Sequence, residues 1–203
     1  LPDNLGEMHR GNQGRPAILI CPGGAYAMCS EREAEPVALH YLHEGYNVFI
    51  LWYSVAPHCF PQQIREVAAA VDLIHRNAES WNCDENHVAI MGFSAGGHLA
   101  ASVSTLYIDK VTRPDFSVLI YPVVSLDRKF VGQGTRNNLL GKDEMWDDKD
   151  MKVAEYEEKQ KSYSELLNHY SLQNHIDSNT PEAFIVHCSD DKQVPVEHSI
   201  LYY

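Results

Sequence analysis

No stretch of the 203 residues approaches the roughly 20 consecutive apolar residues of a membrane helix, so no spanning segment is expected in this chain. The first 15 residues are polar, and no secretory leader is visible among them. Basic runs are missing too. The formal net charge is −12, which repels phosphate backbones and argues against a nucleic-acid partner. The five cysteines (Cys21, Cys29, Cys59, Cys83, Cys188) are odd in number and contain no C-x-x-C pair. Neither a zinc site nor a full disulfide framework follows from them. They read as free thiols filling core space, which leans towards a reducing, cytoplasmic compartment. The acidic stretch 142–161 lacks the glycine and spaced oxygen ligands of an EF-hand loop, so calcium is not indicated. No internal repeat or low-complexity linker interrupts the chain.

What is present is an ordinary globular composition, 44% hydrophobic and 22% charged, at a length that suits one domain with a sizeable core. Two kinds of segment alternate. "PAILIC" (16–21) is a continuous apolar run of the kind buried on both faces of a sheet. Ser30 and Glu33 have the S-x-x-E spacing of a capping box, predicting a helix that Gly45 closes. "YNVFILWY" (46–53) predicts a second strand. Across 62–81, Ile64, Val67, Ala68, Val71, Ile74 and Ala78 follow one helical face. "HVAIMGF" (87–93), "FSVLIYPVV" (116–124) and "AFIVHCS" (183–189) are further strand candidates. Steady strand–helix alternation predicts a mostly parallel sheet with helices on both faces. The segment 127–172 breaks this rhythm; its charged part, 142–161, predicts a helix that is either a solvated surface element or a mobile cap over a site.

Gly92-Phe93-Ser94-Ala95-Gly96 fits G-x-S-x-G, in which a serine stands on a sharp turn between strand and helix. Here a buried strand candidate precedes Ser94 and a helix candidate follows it. Ser94 is therefore the candidate nucleophile. The Ala95 N–H, at the helix N-terminus, is placed to meet a reacting carbonyl oxygen. Glycines in "CPGGAY" (21–26) let further main-chain N–H groups approach the same oxygen. In "HCSDDKQVP" (187–195), Asp190 and Asp191 stand side by side as candidate acids.

Four pieces, "CPGGAY", "YSVAPHCFP", "GFSAGGHLAAS" and "HCSDDKQVPVEHS", resemble in order the motifs of an α/β-hydrolase esterase group, the hormone-sensitive-lipase-like and acetyl-xylan-esterase-like carboxylesterases. The resemblance spans about residues 16–199. It implies the α/β-hydrolase fold, with the first strands, the last strand and the histidine loop outside this chain. It aligns Gly24 and Ala25 with the loop donors and Ala95 with the elbow donor. Pro22 departs from the pattern, standing where the lipase-type loop has histidine. The acid lies four residues before the proline of the V-P pair in similar hydrolases, which selects Asp191 over Asp190. The histidine is expected beyond Tyr203, with His198 as a fallback; His98 and His187 are expected to have packing or structural roles. The implied activity is hydrolysis of small carboxylic esters, including acetyl groups on carbohydrate, without metal or organic cofactor. Two alternatives stand beside it: an amidase or peptidase on the same fold, and a catalytically inactive binding module.

Overall fold

Residues Arg15–Cys21, which contain the first apolar run, form β1, and every side chain from Ala17 to Cys21 is buried. The computed structural model describes residues 14–141 and 153–203. After a 3₁₀ turn at Glu31–Glu33 come α1 (Glu35–His43), β2 (Asn47–Ile50), α2 (Gln62–Arg76), β3 (Cys83–Phe93), α3 (Ala95–Thr105) and β4 (Phe116–Ile120). Then follow α4 (Gln133–Leu140), α5 (Val153–His169), β5 (Glu182–Val186) and α6 (Glu197–Tyr202). The strands form one sheet in the order β2-β1-β3-β4-β5, and each neighbouring pair is parallel. The expected parallel α/β architecture is what the chain adopts.

The two faces of the sheet are covered unequally. Val67, Val71 and Ile74 of α2 and Leu99, Ala100 and Val103 of α3 pack with Ala17, Leu19, Ile90 and Leu119 into the larger core. On the other face, Val37, Ala38 and Tyr41 of α1 lie against Ile18, Ile20, Met91 and Phe93. At the β5 edge Phe184 and Val186 remain exposed. No described helix is long and apolar enough to cross a membrane.

Several boundaries differ from the sequence expectation for identifiable reasons. The helix expected over 62–81 ends at Arg76, where Asn77 Nδ2 donates to the Leu73 carbonyl and the chain turns towards β3. The strand expected over 116–124 stops at Ile120. Tyr121 has φ 37°, and Pro122 has no N–H to give a ladder. The capping box is not formed either: Ser30 makes no side-chain cap, and the Glu33 carboxylate is used elsewhere. Of the five free cysteines only Cys21 and Cys83 are buried; Cys188, expected in a buried strand, is exposed beyond the end of β5. Residues 153–161 of the charged stretch are helical within α5, and 142–152 lie outside the described residues.

This packing makes a stability contrast. Leu99→Ala in α3 removes a fully buried side chain and is expected to cost about 2–5 kcal/mol. Leu39→Ala in α1, where the side chain is 64% exposed, is expected to cost less than about 0.5 kcal/mol. Urea denaturation of the two variants checks both values.

Candidate active site

The strand order reverses between β1 and β3. The chain leaving β1 crosses to α1 on one face, and the chain leaving β3 enters α3 on the other. Loops that diverge in this way open a crevice at the carboxyl ends of the strands, where ligands bind in open α/β sheets. "CPGGAY" follows β1 and Ser94 follows β3, so both candidate motifs stand at this crevice.

Ser94 occupies φ 52°, ψ −116°, a conformation that non-glycine residues rarely adopt. Three main-chain bonds hold it there. Its N–H donates to the Ile120 carbonyl at 3.1 Å, while its carbonyl accepts from His98 N–H at 3.1 Å and Val123 N–H at 3.0 Å. The surroundings enforce glycine: a Cβ on Gly92 would lie 2.1 Å from the Gly96 carbonyl oxygen. A Cβ on Gly96 would lie 2.1 Å from the Cys21 carbonyl oxygen and 2.3 Å from that of Pro22. The first turn of α3 is thus pressed against the end of β1. The Ser94 hydroxyl makes no hydrogen bond among the described residues, and Ala95 opens α3, where N–H groups lack helical acceptors.

The loop after β1 is held through its carbonyls. Tyr53 Oη donates to the Pro22 carbonyl at 2.6 Å, and Ser30 N–H to that of Gly23 at 2.9 Å. The Gly24 carbonyl accepts Ala27 and Met28 N–H, the Ala25 carbonyl accepts Asn138 Nδ2 at 2.9 Å, and the Tyr26 carbonyl accepts Ala56 N–H. Gly24 (φ 135°), Ala25 (φ 54°) and Tyr26 (φ 58°) are all left-handed, so successive N–H groups turn to one side. The N–H groups of Gly24 and Ala25 donate to nothing among the described residues. The Gly23 N–H does have a partner, the Glu33 carboxylate at 2.7 Å. Gly24, Ala25 and Ala95 are therefore free donors among the described residues, and Gly23 is not.

Asp191 follows β5 at the same end of the sheet. Its Oδ1 accepts Gln193 N–H at 2.8 Å and Val194 N–H at 3.0 Å, leaving Oδ2 uncommitted to the main chain. The Val194 bond above all, against a small burial effect and aided by Gln193 and nearby His187, holds its carboxyl below the usual range. Asp190 is exposed and accepts no hydrogen bond among the described residues.

Three histidines near these elements have both ring nitrogens engaged. His98 is fully buried: Nε2 donates to the Tyr170 carbonyl and Nδ1 accepts from Tyr26 Oη, each at 2.8 Å. It thereby anchors Tyr26 in the loop, as a packing role requires. His187 Nε2 donates to the Val194 carbonyl at 2.7 Å and Nδ1 accepts from Ser199 Oγ at 2.6 Å. Its Nε2 is 3.9 Å from Asp191 Oδ2, so it braces the acid loop from beneath. His198 is buried, with Nδ1 accepting from Val124 and Ser125 N–H and Nε2 donating to the Phe130 carbonyl. The fallback role for His198 is incompatible with these bonds, because neither nitrogen is free to take a proton from Ser94.

The residues that fix the loop were not apparent as such in the sequence. Tyr53 lies within "YSVAPHCFP", but its hydroxyl contact spans 31 positions. Asn138 reaches Ala25 across 113 positions, and Glu33 had the spacing of a cap. No local pattern encodes such contacts. Among the described residues there is no cluster of three or more side chains suited to a metal ion.

Residues 7–203 match the BD-FAE family, almost the whole chain. The chain belongs to the BD-FAE family. It is 35% identical over 190 residues to an acetylxylan esterase of Xylanibacter ruminicola, covering 92% of this chain and 36% of that protein. It is 31% identical over 218 residues to endo-1,4-beta-xylanase B of Butyrivibrio fibrisolvens, covering 100% of this chain and 31% of that one. The chain thus spans about a third of the length of these curated relatives. The acetyl ester-xyloside bifunctional hydrolase of Caldicellulosiruptor lactoaceticus superposes with a TM-score of 0.78 at 33% identity, over 95% of this chain and 68% of that chain. The fold of this BD-FAE chain is that of the α/β-hydrolases, as its motifs implied.

His98 gives a pH signature. Burial, against the Tyr170 bond and with a small push from His198, depresses its pKa from 6.5 to about 4. Between those values the unfolded chain binds the proton and the folded one does not. Stability is therefore complete above pH 6.5 and falls as the pH drops towards 4, by on the order of 3 kcal/mol from this group. His98→Gln, which keeps an acceptor for Tyr26 and a donor for Tyr170, is expected to lose that part of the slope in urea denaturation at pH 4.5 and 7.

Proposed function

We propose that this BD-FAE protein is a serine carboxylesterase that removes small acyl groups, acetyl above all, from carbohydrate esters. One observation carries the reading. Ser94 sits in a strained turn with its hydroxyl unbonded among the described residues, and the Gly24, Ala25 and Ala95 N–H groups of the adjoining loop and helix likewise lack acceptors there. The names of its acetylxylan esterase and acetyl ester-xyloside hydrolase relatives support the substrate class.

In this mechanism Ser94 Oγ attacks the ester carbonyl carbon, and the hydroxyl proton passes to a histidine acting as general base. The Gly24, Ala25 and Ala95 N–H groups take the charge that develops on the carbonyl oxygen, in a geometry fixed before substrate arrives. Collapse of the tetrahedral species releases the alcohol, which receives the proton from the imidazolium. Water, deprotonated by the same histidine, then attacks the acyl-enzyme and frees the carboxylic acid and Ser94. Asp191, low in pKa and with Oδ2 available, orients the imidazole and stabilises its charged form. Helix α4 braces the oxyanion loop from its far side, with Asn138 Nδ2 donating to the Ala25 carbonyl. The engagement of His98, His187 and His198 favours one second reading, a hydrolase-like module that binds without turning over.

Burst kinetics with p-nitrophenyl acetate on the full-length protein separates the two. A stoichiometric burst followed by turnover is expected, and Ser94→Ala is expected to lower kcat on the order of 10⁶-fold. Asp191→Asn is expected to lower it about 10⁴-fold, while Asp190→Asn changes it only a few-fold. No burst from a folded wild-type protein would favour the binding module.

A further inference from the structure

Glu33 caps no helix. Its Oε2 accepts the Gly23 N–H and its Oε1 accepts the Tyr121 hydroxyl, both at 2.7 Å. Gly23 stands directly over the nucleophile, since a Cβ there would lie 3.2 Å from Ser94 Cβ and 2.9 Å from the Phe93 carbonyl oxygen. Tyr121 joins the other strands to this point. Its N–H donates to the Val186 carbonyl of β5 at 2.7 Å, and its ring centroid is 6.0 Å from that of Phe93. The preceding residue, Ile120, accepts the Ser94 N–H. The Glu33 carboxylate and the Tyr121 phenol thus tie the loop after β1 to the end of β4, and the main-chain bonds of Ile120 and Tyr121 carry the link on to β3 and β5.

We infer that Glu33, held by Tyr121, is a positioning residue for the oxyanion hole. The inference rests on the reading of Ser94 as nucleophile. A hydrogen bond from an N–H to a carboxylate is roughly twice as strong as one between neutral groups. Glu33 takes the Gly23 N–H in this way while Ser30 N–H holds the Gly23 carbonyl, so the peptides on both sides of Gly23 are fixed. That choice decides which donors face the substrate: Gly24 and Ala25 do, and Gly23 does not. Without Glu33, the Gly23 N–H is released beside Ser94 and the glycine pair is free to rotate. The Glu33 charge remains whichever groups it accepts from, so its role in placing the loop and its electrostatic effect on the site are distinct. Geometry and charge are separable. In Glu33→Gln the amide oxygen can accept from Gly23 and the amide nitrogen can donate to the Tyr121 oxygen, without the negative charge.

The test uses the full-length protein, p-nitrophenyl acetate kinetics and amide hydrogen exchange across residues 22–28. Glu33→Ala is expected to lower kcat about 10- to 100-fold, as a misplaced hole does, with KM within about threefold. Tyr121→Phe is expected to lower kcat less, and the double variant to be no worse than Glu33→Ala, because Tyr121 acts through Glu33. Glu33→Gln is expected to recover most of the rate. Exchange of the Gly23 amide should accelerate in Glu33→Ala and stay slow in Glu33→Gln. Wild-type kcat and exchange in Glu33→Ala would overturn the inference, and so would equal losses in the Ala and Gln variants. Where Glu33→Ala unfolds, the Gln and Tyr121→Phe variants decide by the same criteria. Turnover that survives Ser94→Ala would sink the nucleophile reading alone, and the exchange comparison would still decide on Glu33.

Discussion

The close approach of α3 to the end of β1 is the constraint on which the site depends. A side chain at Gly96 would overlap the carbonyl oxygens of Cys21 and Pro22, so the helix that carries Ser94 and the loop that carries Gly24 and Ala25 touch main chain to main chain. At this distance the turn that carries Ser94 lies directly against the start of the glycine loop. The strand order places the crevice between β1 and β3, and the parallel sheet brings the acid loop after β5 to the same end. Strain at Ser94 persists because three main-chain bonds and a crowded turn over-determine it.

Around this contact buried and half-buried polar groups form a supporting frame. Tyr26, Tyr53, Glu33 and Asn138 each hold one point of the loop, and His98 in turn fixes Tyr26. Burial raises the Tyr26 and Tyr53 hydroxyl pKa values well above the ordinary range, so both remain donors at any working pH. Under the acid loop, His187 does for Val194 what Tyr53 does for Pro22, securing a carbonyl so that neighbouring N–H groups point to Asp191. In the loop after β1 the protein holds the carbonyls, while the Gly24 and Ala25 N–H groups are left without acceptors among the described residues.

What the sequence made legible follows the same physics. The inner parts of β1 and β3, Ala17–Cys21 and Val88–Phe93, stood out because strand segments buried on both faces are apolar runs. Gly92 and Gly96 stood out because backbone contact leaves no room for a Cβ. Strand ends were harder, since Tyr121 and His187 leave the sheet through contacts with distant residues. Ser30 and Glu33 satisfied a local capping pattern while the carboxylate found a partner ten residues back and another 88 residues on. His198 held the right place in chain order for a triad, but its ring had already been spent on Val124, Ser125 and Phe130. Local spacing reveals which residues are small or apolar; it does not reveal which long-range bond a polar side chain will make.

The most direct measurement of the central claim is covalent trapping. Incubation of the full-length protein with a fluorophosphonate, followed by intact-mass and peptide mapping, reports which serine is activated. The account predicts one adduct per chain, on the peptide that contains Ser94. An adduct on another serine, or none on a folded protein, would contradict it.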